Sequence, residues 1–291
     1  MRIVSLVPAA TEIACAIGAV ADLVAVTHDC DFPPHVRSLP RVTSATIPAG
    51  ATSREIDTLV RDAASRNEST FHLDAGALRD AAPDVILGQT LCAVCAVTLD
   101  QVPRSLPREP RVVPLEAATL DGMYEDVARV GDAIGRGQQA RTLVASLRAR
   151  AAAVRHAVGD RERPRVACIE WVDPPYSGGH WVPEQVHLAG GADVLGEPGA
   201  RSRELTWDDV RAARPDIVVV MPCGWDAPRA EREARAIPDL GAPVVAVDGN
   251  AYFSRPGPRL IDGIKLLASL LHPGVVPPPD GAAAIALRAH A

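Results

Sequence analysis

The chain reads DAGALRDAAPDVIL over residues 74–87 and WDDVRAARPDIVVV over residues 207–220. In each stretch a helical pattern stops at a Pro-Asp pair, and a run of aliphatic residues follows directly. A helix that leads at once into a buried strand is typical of a parallel sheet covered by helices. Because this unit occurs twice, the sequence predicts two similar α/β lobes.

Strand and helix patterns alternate on both sides of these two stretches. The predicted strands are 3–7, 23–27, 83–88, 111–115, 165–171, 193–195, 216–221 and 244–247; the predicted helices are 10–18, 53–66, 74–81, 183–189, 206–213 and 258–271. Residues 120–158 form one helical stretch without a strand, broken only mildly near Gly135 and Gly137. The fold class is therefore α/β, with two doubly wound lobes joined by one long helix. The predicted parts are an N-terminal lobe (1–119), a connecting helix (120–158), a C-terminal lobe (159–275) and a flexible tail (276–291).

Composition limits the classes of partner. Hydrophobic residues make up 47% and charged residues 23% of the 291 residues, which is typical of a globular protein. The net charge is −6 and the basic residues are scattered singly, so nucleic acid is not expected as a partner. No apolar run reaches the roughly 18 residues that membrane insertion needs.

The N-terminus and the cysteine content predict a cytoplasmic location. Met1 is followed directly by a strand, without the charged and apolar regions of a secretory signal. Six cysteines in a chain of this length do not indicate a disulfide framework.

Four cysteines follow predicted strands of the two lobes. Cys30 comes after strand 23–27, two residues beyond His28; Cys92 and Cys95 come after strand 83–88; Cys223 comes after strand 216–221. A Cys-x-x-Cys spacing lets two thiolates reach one metal or pair with each other. The residues therefore leave two interpretations open: a metal, iron–sulfur or redox site, or cysteines that only line a cleft.

Aromatic residues gather at the same predicted edge in a chain with only 3% aromatics. Trp171, Tyr176 and Trp181 lie within eleven positions that begin at the end of strand 165–171, and Tyr252 and Phe253 precede the last helix. In open α/β sheets ligands bind outside the carboxyl ends of the strands, and flat aromatic walls suit a large planar small molecule. His180, between Tyr176 and Trp181, could offer a nitrogen to a metal.

Catalytic motifs are missing from the sequence. The chain contains no Gly-x-Ser-x-Gly elbow, no Walker loop and no Gly-x-Gly-x-x-Gly after the first strand. We therefore predict binding rather than catalysis.

Over residues 2–272 the chain resembles the cobalamin-binding proteins of ABC importers, which belong to the solute-binding proteins whose two lobes are joined by one rigid helix. The segments that carry this resemblance are 2–12, 31–34, 83–86, 173–179, 189–194, 252–255 and 258–259. The resemblance implies cobalamin or a related corrinoid in the cleft between the lobes. It also implies a set of ligand-binding positions: Tyr176, Trp181, Tyr252 and Phe253 against the ring, Arg255 beside them, Gln89 where importer proteins carry an aromatic, and His180 or a cleft cysteine near the metal.

The chain departs from the importer pattern in three ways. It shows no export signal; of the two acidic residues that dock on the permease, one corresponds to Asp208 but the other falls at Gly76; and the four cysteines are not part of the pattern. Docking on an ABC permease is therefore doubtful, and we predict a cytoplasmic carrier, store or sensor. The alternatives are a cytoplasmic metal or iron–sulfur protein or enzyme that uses the cysteines, and an importer component.

Overall fold

The structure is a computed structural model that describes residues 1–66, 68–90, 97, 99–103, 106 and 109–288. The strands are β1 Ile3–Ser5, β2 Leu23–Ala25, β3 Thr43–Ala45, β4 Phe71–Leu73, β5 Val85–Gln89, β6 Arg111–Leu115, β7 Arg165–Val172, β8 Pro175–Ser177, β9 Ala192–Asp193, β10 Ile217–Val220, β11 Val244–Val247 and β12 Ala284–Arg288. The α-helices are α1 Pro8–Ala16, α2 Ser53–Ser65, α3 Ala75–Ala81, α4 Leu120–Ala133, α5 Gly137–Val158, α6 Val182–Leu188, α7 Trp207–Ala212, α8 Ala227–Ala234, α9 Gly249–Tyr252 and α10 Leu260–Leu271.

The chain divides into two compact units. The first comprises Met1–Ala51, Glu55–Ala117 and Asp121–Ser146; the second comprises Thr52–Arg54, Ala118–Leu120 and Leu147–Ala291. The main boundary lies inside α5. The predicted boundaries at 119 and 158 placed it at the two ends of a connecting helix instead.

The first unit is built on a parallel sheet with the strand order β2-β1-β5-β6. β1 is fully buried, and β5 is buried except at its last residue, so both strands read as continuous aliphatic runs. Ile3 and Leu6 are among the fully buried side chains of its core. A separate antiparallel pair, β3 with β4, was not predicted, because each strand has only three residues and carries little pattern.

The second unit is built on a sheet with the order β12-β11-β10-β7-β8, and β9 also pairs with β7. Its central strands β7, β10 and β11 are parallel, whereas β8 and β12 are antiparallel to their neighbours. β10 and β11 consist almost wholly of valine, whose branched side chain suits a strand buried on both faces. The predicted α/β class with two units is confirmed.

The two predicted repeats have the same local structure. Ala82 and Arg214, the residues before the two Pro-Asp pairs, have φ values of 40° and 45°. Asp84 accepts a hydrogen bond from the Arg2 peptide N–H at 2.8 Å, and Asp216 accepts one from the Arg165 N–H at 2.7 Å. The two aspartate N–H groups donate back to the same two arginines, both at 2.8 Å. This exchange fixes the start of β1 beside β5 and the start of β7 beside β10.

Two predictions about the chain outside the sheets are wrong. The stretch 120–158 is two helices, because Gly135 has a φ of 71° and a Cβ at Gly131 would lie 2.3 Å from the Ala140 Cβ, so the chain turns where α4 meets α5. The tail is not loose throughout, because β12 pairs with β11 from Val244 to Val247. Within the described residues, no helix is both long and apolar enough to cross a bilayer.

Candidate functional site

Three parallel strands of the second sheet, β7, β10 and β11, have their carboxyl ends at one edge, where ligands bind in open α/β sheets. Trp171 lies near the end of β7, and Trp225 lies in the turn after β10. Their ring centroids are 4.9 Å apart, with an interplanar angle of 44°. The Arg229 guanidinium lies over the Trp225 ring, 4.1 Å from its centroid. Asp226 caps α8 by accepting from the Arg229 N–H, which positions Arg229 in the first turn of that helix.

Residues 52–54 complete this aromatic cluster within the second unit. The Trp171 indole N–H donates to the Ser53 carbonyl at 3.2 Å, and the Ser53 hydroxyl donates to Glu233 at 2.8 Å. Arg54 makes a two-pronged pair with Asp173, at 2.9 and 2.7 Å. The N–H edge of Trp171 is thus held while the residue as a whole stays partly exposed.

Trp181 and Phe253 are buried, with exposed fractions of 6% and 3%. The Trp181 indole N–H donates to the Phe253 carbonyl at 2.7 Å, and the buried Gln185 amide donates to the carbonyls of Tyr252 and Leu260 at 3.1 and 2.8 Å. Both side chains were predicted to contact the ring of a ligand. In the structure both are buried, and the hydrogen bonds fasten the segment before α10 onto α6. Their contact with a ring stays a prediction.

His180 keeps its place as a candidate ligand. It has a φ of 53°, and its peptide group is held by hydrogen bonds to Ala200 and Gly199 at 2.6 and 2.8 Å. Burial, with a smaller effect from Arg201, lowers the pKa of the imidazole. The side chain is therefore neutral at pH 7, and the neutral imidazole is the form that binds metals.

The other predicted ligand-binding residues of the second unit are partly exposed or buried. Tyr252 is partly exposed, and burial together with Asp248 and Asp262 raises the pKa of its phenol. The Tyr176 hydroxyl lies 3.4 Å from Glu204, and Arg255 is 8% exposed.

Within the described residues, the carboxyl edge of the first sheet carries several polar side chains. Gln89, the remaining predicted position, ends β5 and is partly exposed; the next residue, Thr90, donates to Glu116 at 3.4 Å. His28 Nδ1 lies 2.7 Å from the Thr43 hydroxyl, and its Nε2 lies 3.4 Å from Asp29.

The predicted metal ligands differ in their surroundings. Cys30 is buried, and its sulfur lies 3.0 Å from the Thr11 hydroxyl. Cys223 is exposed, and its peptide N–H donates to the Glu170 carbonyl at 3.1 Å. Cys92 and Cys95 lie outside the described residues. Among the residues that are described, no three His, Cys, Asp or Glu side chains are grouped so that they could hold a metal, and a shared site stays a prediction.

The sequence interpretation missed Trp225, Arg229 and Gln185. Trp225 follows β10 at the predicted binding edge, so the rule that singled out Trp171 could have found it. Arg229 and Gln185 gave no such signal, because both lie on helices where polar residues are common.

The comparison with known proteins agrees with this fold. A family model described as "Periplasmic binding protein" matches residues 3–238. Cobalamin-binding proteins from two strains of Halobacterium salinarum are 26% identical over 174 residues, which is 54% of this chain and 45% of theirs. The chain thus spans about half the length of these curated relatives.

Solved structures agree over nearly the whole chain. A periplasmic heme-binding protein from Pseudomonas aeruginosa superimposes with a TM-score of 0.66 at 20% identity, covering 95% of this chain and 94% of the other. The periplasmic vitamin B12-binding protein BtuF of Vibrio cholerae gives a TM-score of 0.60 at 19% identity, with coverages of 93% and 96%. At these identities the likeness concerns the fold.

Proposed function

Because the chain belongs to the periplasmic binding protein family, a family of solute-binding proteins rather than of enzymes, we propose that it binds cobalamin or a related corrinoid. The binding surface is the carboxyl edge of the second sheet. The same proposal includes its role as a cytoplasmic carrier, store or sensor.

The observation that carries the proposal is the aromatic cluster of Trp171 and Trp225 with Arg229 over the second ring. A corrinoid is a broad ring with apolar faces, so a partly exposed indole whose N–H edge is held by a hydrogen bond offers it a flat contact. Trp225 is buried and fixes the angle of Trp171, which reduces the ordering cost of binding. The curated Halobacterium relatives, which are named cobalamin-binding proteins, support the choice of ligand.

His180 extends the proposal to the metal of the corrinoid. Its neutral imidazole could replace the water on aquocobalamin, because the unprotonated nitrogen has a lone pair to offer to cobalt. The expected sign is a shift of the corrinoid absorption bands on binding, which His180→Asn abolishes while binding itself persists. An unshifted spectrum with the native protein excludes this role and leaves the ring contact untouched.

Titration calorimetry with cyanocobalamin tests the ring contact. Trp171→Leu replaces the aromatic ring with a smaller aliphatic side chain, and Trp171→Phe, which is also smaller than tryptophan, keeps an aromatic ring as the matched control. We expect the leucine variant to lose about 1–3 kcal/mol of binding free energy, roughly a 5- to 150-fold rise in Kd, and the phenylalanine variant to lose less. Equal losses in the two variants would contradict stacking.

Hemin and a ferric hydroxamate, titrated in parallel, separate the corrinoid from other ligands of this fold class. If cyanocobalamin does not bind at about 100 µM, which corresponds to roughly −5.5 kcal/mol, the corrinoid proposal fails. Fractionation of the source cells, followed by assay of cobalamin-binding activity in each fraction, tests the predicted cytoplasmic location.

A further inference from the structure

Two cysteines of the first unit, Cys15 and Cys30, lie on the same side of α1. Thr11 and Cys15 are four residues apart on this helix, so their side chains lie one turn apart on one face. The Cys30 sulfur comes to this face from the turn after β2 and lies 3.0 Å from the Thr11 hydroxyl. A contact with Thr11 therefore brings Cys30 next to the position that Cys15 occupies.

The electrostatics of Cys15 agree with this placement. Burial is the largest cause of the raised pKa of its thiol, about 11, and the second cause is the charge of Cys30, ahead of that of Glu12. An influence of this kind falls off with distance, which agrees with the placement that the Thr11 contact gives.

The two thiols differ in access to solvent. Cys30 is 2% exposed, whereas Cys15 is partly exposed. An oxidant would therefore meet Cys15 first, and Cys30 would act as the thiol that resolves the product.

From this geometry we propose that Cys15 and Cys30 form a reversible disulfide when the protein meets a small-molecule disulfide such as oxidised glutathione. Because the pKa of the Cys15 thiol is raised, its thiolate forms mainly at alkaline pH. This thiolate attacks one sulfur of the oxidant and releases one equivalent of thiol. The Cys30 thiolate then attacks the Cys15 sulfur, the bond to the remaining half of the oxidant breaks, and a second equivalent of thiol leaves. Two electrons pass from the cysteines to the oxidant, and their two protons end on the two thiols released.

The bond would link the helix that follows β1 to the turn that follows β2. This turn also contains His28, at the carboxyl edge of the first sheet. The site is independent of the aromatic cluster of the second unit, so it does not depend on which ligand the protein binds.

Peptide mapping of the full-length protein tests the proposal directly. Trypsin cleaves after Arg2 and Arg37, and peptide 3–37 contains Cys15 and Cys30 but no other cysteine. After exposure to oxidised glutathione at mildly alkaline pH, acid quenching, unfolding and alkylation, we expect this peptide to carry no alkyl group and to be lighter by two hydrogen atoms. Treatment with dithiothreitol before alkylation should restore two alkylated cysteines.

Internal controls make the outcome decisive. Cys168 is fully buried, and its peptide, residues 166–201, should stay a free thiol that is alkylated after unfolding. In Cys30→Ser, Cys15 should instead accumulate one bound glutathione; if this variant does not fold, the native protein alone decides. Two alkyl groups on peptide 3–37, or a stable single glutathione on it, in native protein whose exposed Cys223 has reacted would overturn the proposal.

Discussion

At their amino ends the two sheets are built alike, and at their carboxyl ends they are not. Arg2 and Asp84 in the first unit, and Arg165 and Asp216 in the second, exchange the same pair of hydrogen bonds. At the opposite edge, the described residues that follow β5 and β6 in the first sheet include the polar pair Thr90 and Glu116, whereas the second sheet ends in the Trp171–Trp225 cluster. The comparison shows that the Arg–Asp hydrogen-bond pattern at the amino ends is repeated, whereas the described side chains at the carboxyl ends differ.

The largest expected effect distinguishes a buried, supporting tryptophan from a partly exposed one at the carboxyl edge of the second sheet. Trp181→Ala removes a buried indole and its hydrogen bond to Phe253, and should lower the free energy of unfolding by about 3–5 kcal/mol. Trp171→Ala is the control, because this indole is only partly buried and should cost clearly less. Denaturant unfolding followed by circular dichroism measures both, and equal costs would remove the distinction between the two tryptophans.

The next effect tests whether the two amino ends are equivalent. Asp84→Ala and Asp216→Ala each leave an arginine N–H without its acceptor, and each should destabilise its own unit by about 1–2 kcal/mol. The corresponding Asn variants keep an acceptor and should cost less. If only one of the two alanine variants is destabilised in thermal unfolding, the two sites share their sequence but not their contribution to stability.

A smaller effect concerns the residues that flank Trp171. Arg54 and Asp173 form a close pair, but their side chains are 75% and 42% exposed, so Arg54→Ala should cost below about 1 kcal/mol. Ser53→Ala should cost more, since Ser53 is buried and its hydroxyl bonds to Glu233. A larger loss from Arg54→Ala than from Ser53→Ala in denaturant unfolding would reverse this order.

The smallest effect is a pH dependence at His180. The pKa of the imidazole is lowered in the folded protein, so the unfolded chain binds a proton more readily. The free energy of unfolding therefore decreases as the pH is lowered through the ordinary value of 6.5. His180→Asn removes this dependence and keeps a residue that tolerates a positive φ. The free energy of unfolding of the native protein minus that of the variant should therefore decrease when the pH is lowered from 7.5 to 5. A constant difference would show that His180 does not titrate in this way.

The sequence predicted the fold well because long aliphatic runs and Pro-Asp stops are local signals. Val85–Gln89 and Val244–Val247 lie within a residue or two of their predicted strands. It could not predict the turn between α4 and α5, where Gly131 of α4 lies close to Ala140 of the next helix.

The site was predicted less completely, because loop residues have no periodicity that separates a buried face from an open one. Trp181 and Tyr252 were both assigned to the ligand from their position after a strand or before a helix. Only the packing shows that Trp181 is buried while Tyr252 is partly exposed. The cysteines show the same difficulty: the position of Cys15 inside a helix gives no sign that Cys30 approaches the same helix face, because that depends on tertiary structure.

The short strand β12 has a consequence for the behaviour of the protein in solution. It pairs in antiparallel fashion with Val244–Val247 and so covers backbone groups of β11 that would otherwise lie open at the side of the sheet. An uncovered, valine-rich strand of this kind recruits strands from other molecules. A chain shortened before Ala284 should therefore self-associate as its concentration rises, even with its ligand-binding residues intact, and a purification tag is better attached at the N-terminus.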